Sequence, residues 1–149
     1  MKNLHTTEQV ESIKSRVQSV QRNNPRNWGS LELAQALAHC SAGIDMALGD
    51  IRPKRRFVGR LIGAVIKPLV LRDDKPLRPN APSVSEILVP NPQSVESERA
   101  RLIAQIDRFA AARTHCSTHP HAWFGRMTAD EWAVLMYKHL DHHLRQFSA

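Results

Sequence analysis

Residues 128–147 read TADEWAVLMYKHLDHHLRQF, and they carry the most regular helical pattern in this chain. At about 100° per residue, a helix would collect the large apolar side chains and two histidines on one face. These are Trp132, Leu135, Met136, His139, Leu140, His143 and Phe147. Thr128 and Glu131 form a capping-box pattern that marks the start of the helix. The pattern predicts an amphipathic helix from Thr128 to about Gln146, with His139 and His143 near the centre of its buried face.

Upstream, the sequence predicts three more helices and one long irregular connection. The helices cover about residues 7–21, the stretch from the N-cap Ser30 to Leu48, where Gly49 ends it, and about residues 95–114 with Ser94 as cap. Residues 49–92 hold seven of the nine prolines. Within them, the apolar segment Phe57–Leu71 is expected to form one or two helical turns, and residues 76–92 a looping crossover. The predicted fold is all-α, in a single domain over residues 1–149.

Composition excludes several classes of protein. Hydrophobic residues make up 42% of the chain and charged residues 23%, as in ordinary globular proteins. Cys40 and Cys116 lack the CxxC spacing of zinc ribbons and thioredoxin-like redox motifs, and Cys40 is expected to be a buried apolar group. The N-terminus lacks the apolar core of a signal peptide, and Phe57–Leu71 is too short to cross a bilayer. We therefore expect a cytoplasmic protein with no membrane partner.

The chain is basic, with a net charge of +7 and a pI near 10.1. Its one dense cluster contains Arg52, Lys54, Arg55, Arg56 and Arg60. No aromatic residues interleave with this cluster, as single-strand nucleic-acid binding would require. We expect solvated side chains there, with an anion or phosphate site as the alternative, and we do not expect nucleic-acid binding.

The histidines suggest a metal site. His139 and His143 lie one helical turn apart, a spacing at which two imidazoles can bind one ion. The alternative is a pair of hydrogen-bonded core histidines, and a third ligand would decide between the two. His39 is a candidate, but it lies away from the Leu33–Leu48 apolar stripe and reaches the centre only if a second face of its helix is buried. His142 is an alternative to His143, and His115 with His119 forms a weaker second pair.

Two stretches of the chain resemble the DinB-like superfamily of metalloenzymes, and in particular a branch described as a domain of unknown function. The C-terminal stretch contains His119-Pro120, Phe124-Gly125, Met127-Thr128, Glu131-Trp132 and the segment 137–147. The second stretch contains Trp28-Gly29-Ser30 and Leu37-Ala38-His39-Cys40. Gln146 follows the last histidine by three residues, as in that superfamily, whereas Leu144-Arg145 stands where many members have Arg-Gly.

This resemblance implies a four-helix bundle with a long crossover between the second and third helices. It also implies a divalent metal, zinc or nickel, held by His39, His139 and His143. The implied function is a metal-dependent enzyme, either a hydrolase or a transferase that uses a low-molecular-weight thiol. The alternative is a non-catalytic, metal-stabilised binding or stress-response module. No catalytic base is identified, although Asp45 and Glu131 are candidates. Pairing into a homodimer through Phe57–Leu71 is a further expectation.

Overall fold

Five α-helices and no β-strand make up the computed structural model, which describes all residues 1–149. The helices are α1 (Thr7–Ser19), α2 (Leu33–Leu48), α3 (Phe57–Leu71), α4 (Val95–Ala112) and α5 (Ala129–Gln146). A single 3₁₀ turn, Ser85–Ile87, interrupts the long connection between α3 and α4. The all-α class is confirmed, but the chain has one helix more than the four that the sequence predicted.

The helix ends follow local capping chemistry. Thr128 and Glu131 cap α5 reciprocally, and the Ser94 hydroxyl accepts a hydrogen bond from the Ser97 amide at the start of α4. Both predicted caps are confirmed. Ser30 is not the cap of α2, because Glu32 and Gln35 form a capping box two residues later. Gly49 ends α2 in the left-handed region (φ 92°), a conformation that glycine adopts without steric cost.

The segment Phe57–Leu71 forms a full helix of 15 residues and corrects the prediction of one or two turns. Its Pro68 lies in the last turn, where the missing amide leaves only one helical carbonyl without its partner. Only Gly59, Gly63 and Leu71 of α3 are buried. None of the helices, α3 included, has the length and apolar character that crossing a bilayer requires.

Helix α2 lies at the centre of the molecule. It packs against α4 and α5, while α1 packs against the same two helices and α3 rests on α5. The 3₁₀ turn covers another side of α2. As a result every residue of α2 from Ala36 to Ala47 is buried, including His39, which is 2% exposed. The second face of α2 is therefore buried, the condition under which His39 can reach the interior.

Candidate metal centre

Three imidazole rings from two helices meet in the interior. His39 comes from the middle of α2, and His139 and His143 come from successive turns of α5. The ring centroids lie 4.8 to 4.9 Å apart, and one nitrogen from each ring falls within 4.8 Å of the others. The Nε2 atoms of His39 and His139 are 2.9 Å apart. These three side chains, which we call the histidine triad, could hold a metal ion.

Hydrogen bonds outside the triad fix the orientation of two rings. The Nδ1 of His39 lies 3.0 Å from the carbonyl oxygen of Ile87, and the Nδ1 of His143 lies 2.8 Å from Oε1 of Gln146. Because both oxygens can only accept, each Nδ1 carries the proton and each Nε2 keeps a lone pair. Gln146 is held in turn by donating from its own amide to the Trp28 carbonyl at 2.8 Å. Such outer partners are typical of histidines that bind metals.

The electrostatic environment keeps the triad neutral. Burial is the largest cause and lowers the pKa of His39, of His139 and of His143, the last to about 3. The nearness of the other imidazoles lowers the pKa of His139 and of His143 further. At neutral pH all three rings are therefore uncharged, which is the form that binds a metal.

The donor set fits a divalent cation. Nitrogen-to-metal bonds of about 2.0–2.1 Å place two ligands of one ion roughly 3 Å apart, close to the separation found between His39 and His139. Without an ion, one proton between these two nitrogens would satisfy that pair, while Nε2 of His143 has no donor in the protein. A cation at the centre would satisfy all three lone pairs together.

Gly43 provides space for the triad. A Cβ atom at this position of α2 would lie 2.9 Å from both Cε1 and Nδ1 of His139. Real Cβ atoms do not approach other atoms so closely, so only glycine lets α5 bring this ring against α2. Gly43 is not among the residues that the sequence pattern singled out. A glycine within a helical pattern, which costs about 1 kcal/mol relative to alanine, was the available signal.

The remaining histidines lie outside the triad. His142 uses both ring nitrogens, with Nδ1 3.3 Å from the Leu77 carbonyl and Nε2 accepting from the Trp28 indole at 3.4 Å. His119 faces the Pro53 carbonyl, whereas the exposed His115 faces the carbonyl of Ala112. The two rings of the proposed second pair are thus directed at different backbone oxygens.

A cavity of about 520 Å³ adjoins the triad on the side of α3. Its walls come from α3, α5, the segment 81–87 and the loop 121–124, and His139 is the triad member that lines it. Val58 and Ile62 of α3 line it and are 50% and 43% exposed, which indicates an opening along this helix. The site therefore has space beside it for an organic molecule.

His121 lines the same cavity, although the sequence indicated only an exposed loop residue. It is 5% exposed, stacks on Phe124 and meets the edge of Trp132. Its Nδ1 accepts hydrogen bonds from the amides of Trp123 and Phe124, both at 3.2 Å. No local pattern distinguishes it, because its burial depends on the packing of α3 over this loop.

The other candidate residues have structural roles. Asp45 forms an ion pair with Arg101 at 3.0 Å, and Glu131 caps α5 and pairs with Lys67 at 2.8 Å. In the basic cluster, Arg55 donates to the carbonyls of His121 and Gly59, and Arg56 pairs with Glu86. Cys40 is buried and Cys116 is half-buried, and both are free thiols. Arg55 and Arg56 are therefore not simply solvated, contrary to the expectation for the cluster.

Comparison with known proteins gives one match. No curated protein and no solved structure matches the chain significantly. A family model described as "Protein of unknown function (DUF1569)" matches residues 1–149. The match covers the whole chain, so the protein belongs to the DUF1569 family.

Proposed function

We propose that this protein is a metal-dependent enzyme whose ion is bound by His39, His139 and His143. The observation that carries the proposal is the convergence of three neutral imidazoles, two of them fixed with Nε2 towards a common point. Three protein ligands leave coordination positions open, which is typical of catalytic rather than structural zinc sites. Zinc and nickel both suit a donor set made only of nitrogen.

The arrangement also supports placing the chain in the DinB-like superfamily. In this proposal α1, α2, α4 and α5 form the four-helix bundle, and α3 belongs to the long crossover between its second and third members. The ligands then come from the second and last helices of the bundle, as the resemblance implies. The crossover contributes directly to the centre, because its Ile87 carbonyl holds the proton on Nδ1 of His39.

The chemistry proposed is activation of a thiol or of water for transfer or hydrolysis. When bound, a divalent ion lowers the pKa of a thiol or water molecule that occupies its open position. The protein's part is to hold the triad neutral by burial and to exclude bulk water from one side by apolar walls. The cavity beside His139 favours an enzyme over a purely metal-stabilised module, because a structural site needs no such space.

A second cavity supports a low-molecular-weight thiol as the partner. It measures about 260 Å³ and is lined by Trp28, Arg78, His142 and Arg145, among others. The ring of His142 lies 5.0 Å from that of His143, so this cavity is next to the triad. Two guanidinium groups suit the carboxylates that polar cellular thiols carry.

Metal analysis tests the proposal. Protein purified without a histidine tag should contain about one equivalent of zinc or nickel, and the His39→Ala and His143→Ala variants should lose it. His115→Ala is the matched control and should keep the metal, as should His142→Ala if that ring has only a structural role. Turnover of thiol-transfer or hydrolytic substrates by the loaded protein would then separate an enzyme from a binding module. Metal-free wild-type protein after growth and reconstitution with both ions would exclude the proposal.

We further propose that two copies of the chain pair through the outer face of α3. Phe57, Leu61, Val65 and Leu69 recur every four residues on this helix and are 74%, 67%, 65% and 52% exposed. Contiguous apolar surface of this kind marks interaction sites.

A further inference from the structure

We propose that the 520 Å³ cavity binds an uncharged, largely apolar organic molecule that carries one oxygen acceptor, and that His121 donates a hydrogen bond to this oxygen. The apolar part occupies the space under α3, and the oxygen lies between His121 and the triad. The inference rests on the proposed function for its link to the metal. The cavity and the donor do not depend on the metal.

The walls of the cavity determine the charge of its ligand. Of the 19 lining residues 13 are hydrophobic, and no Asp, Glu, Lys or Arg is among them. A carboxylate or phosphate placed there would lose its hydration without gaining an ion pair. A polar, anionic thiol is therefore a poor occupant of this space, and the acceptor substrate of the proposed reaction is a better one.

The hydrogen bonds of His121 determine where its proton lies. Its Nδ1 accepts from two backbone amides, so a neutral ring must carry the proton on Nε2. The hydrogen bonds of the ring within the protein are both at Nδ1, which leaves Nε2 free to donate to a ligand. The side chain thus brings a fixed N–H donor to a largely apolar wall, which also contains the unpartnered indole N–H of Trp123. A few oriented polar groups in an apolar pocket are how small-molecule sites set specificity.

The position of His121 relative to the triad supports a role in orienting the substrate. His121 and His139 line one cavity, and His121 is near enough for its charge to lower the pKa of His139. A molecule whose oxygen accepts from His121 would therefore lie in the same cavity as His139, the triad member that lines it. His121 is in this respect the polar residue that orients the substrate, and the triad supplies the chemistry.

Binding of two neutral probes of the same shape tests the proposal. Butyrophenone has a carbonyl oxygen where butylbenzene has only a methylene group. Each is titrated against Nile red bound to the protein, with and without added zinc. Wild-type protein should bind both probes. The Ile62→Trp substitution fills the cavity and should lower the affinity for both probes at least tenfold. Arg60→Trp is the matched control, because Arg60 is exposed on the same helix and does not line the cavity, and it should change the affinity for neither probe by more than twofold.

A second variant isolates the donor. In His121→Asn the side-chain oxygen takes the place of Nδ1 and keeps both backbone bonds, while the cavity-facing N–H is lost. One hydrogen bond contributes a factor of roughly 2 to 12 in affinity. Butyrophenone should therefore bind about fivefold more weakly to His121→Asn, and butylbenzene should bind equally well to both proteins.

The outcomes separate this inference from the proposed function. Protein that takes up no metal but binds both probes, with loss in Ile62→Trp, would remove the metal function and support the cavity site. Failure of wild-type protein to bind either probe, or equal effects of Ile62→Trp and Arg60→Trp, would overturn the cavity site. Equal weakening of both probes by His121→Asn would overturn the role of the donor.

Discussion

Gly43 is the residue on which the geometry of the triad depends most directly. Alanine at this position would favour the helix by about 1 kcal/mol, but its Cβ would overlap the His139 ring. Because the position of the His139 ring determines how the triad binds a metal, this overlap should affect zinc affinity more than the gain in helix propensity does. We expect Gly43→Ala to lower zinc affinity by about tenfold, the scale of changes near metal ligands. Competition with a chromophoric chelator measures this.

The neighbouring Ser41→Ala provides the control for Gly43→Ala. Ser41 is buried in the same helix, and its hydroxyl only bonds the Leu37 carbonyl. The Ser41→Ala substitution should leave zinc affinity within twofold of the wild-type value. Unchanged affinity in Gly43→Ala would show that α2 and α5 adjust without moving the ring.

The protonation of His121 makes stability depend on pH. Burial, followed by the charge of Arg55, lowers the pKa of His121 to about 4 from its ordinary value of 6.5. Between these two pH values the unfolded chain binds a proton that the folded chain does not. The neutral His121 therefore contributes its full stabilisation above pH 6.5, and this contribution is lost as the pH falls towards 4. The loss at pH 5 is about 2 kcal/mol.

Urea unfolding of metal-free protein at pH 7.5 and pH 5 tests this contribution. His121→Asn cannot titrate, so the free energy of unfolding should fall between these pH values by about 2 kcal/mol less in the variant than in the wild type. The other buried histidines titrate in both proteins, so their contributions largely cancel, and the charge of His121 is the smallest of the causes that lower the pKa of His139. Identical pH dependence of the two proteins would show that His121 titrates normally.

Single residues differ in how far the sequence predicts them. His139 and His143 could be predicted because both lie on one helix, where a spacing of four residues fixes their relative position. His39 could not be placed from periodicity alone, since its burial depends on elements that cover both faces of α2. It followed from the family resemblance instead. His121 was missed because its surroundings come from three separate segments.

At the scale of elements, α3 is held against the loop 121–124 by two glycines. A Cβ on Gly63 would overlap the Trp123 carbonyl, and a Cβ on Gly59 would overlap the same backbone. Backbone atoms cannot move aside as a flexible side chain can. Gly63→Ala should therefore destabilise the protein by about 1–3 kcal/mol, as overpacking does, although alanine is the better helix former.

Ala64→Gly is the matched control for Gly63→Ala in the same turn of α3. Ala64 is exposed, so its replacement should cost only the helix propensity of about 1 kcal/mol. Hydrogen exchange distinguishes the two, because Gly63→Ala should also raise exchange throughout α3 and at the loop it covers. If the Gly63→Ala protein were more stable than the wild type, helix propensity would outweigh steric overlap at this position.

The elements themselves were predicted where local chemistry determines them. The capping residues of α4 and α5 and the glycine at the end of α2 act within a few residues of the chain, and each was confirmed. The length of α3 was underestimated, because its apolar residues lie on all sides and Pro68 suggested an early end. Its glycines are explained only by their contact with the backbone of Trp123. Trp123 is about sixty residues away in the sequence, so no local pattern predicts this contact.

At the scale of the whole molecule, the charges around α3 favour an antiparallel pair. The basic residues Arg52 and Lys54 precede the helix, whereas the stretch that follows it, Arg72-Asp73-Asp74-Lys75, has no net charge. A two-fold axis across the middle of α3 would separate the two basic starts and bring each of them to the end of the other copy, which has no net charge. Parallel pairing would place like charges together. The apolar face between these ends supplies the contact area.

Val65 lies within this face, close to where such an axis would cross. Val65→Glu would bring two carboxylates together in the interface, one from each copy, and should abolish pairing. Sedimentation equilibrium should give twice the chain mass of 16.9 kDa for the wild type and the single mass for Val65→Glu. Gln18→Glu introduces the same charge on the exposed side of α1 and should remain dimeric. A wild-type protein that sediments as a monomer at high micromolar concentration would mean that the apolar face of α3 serves another partner.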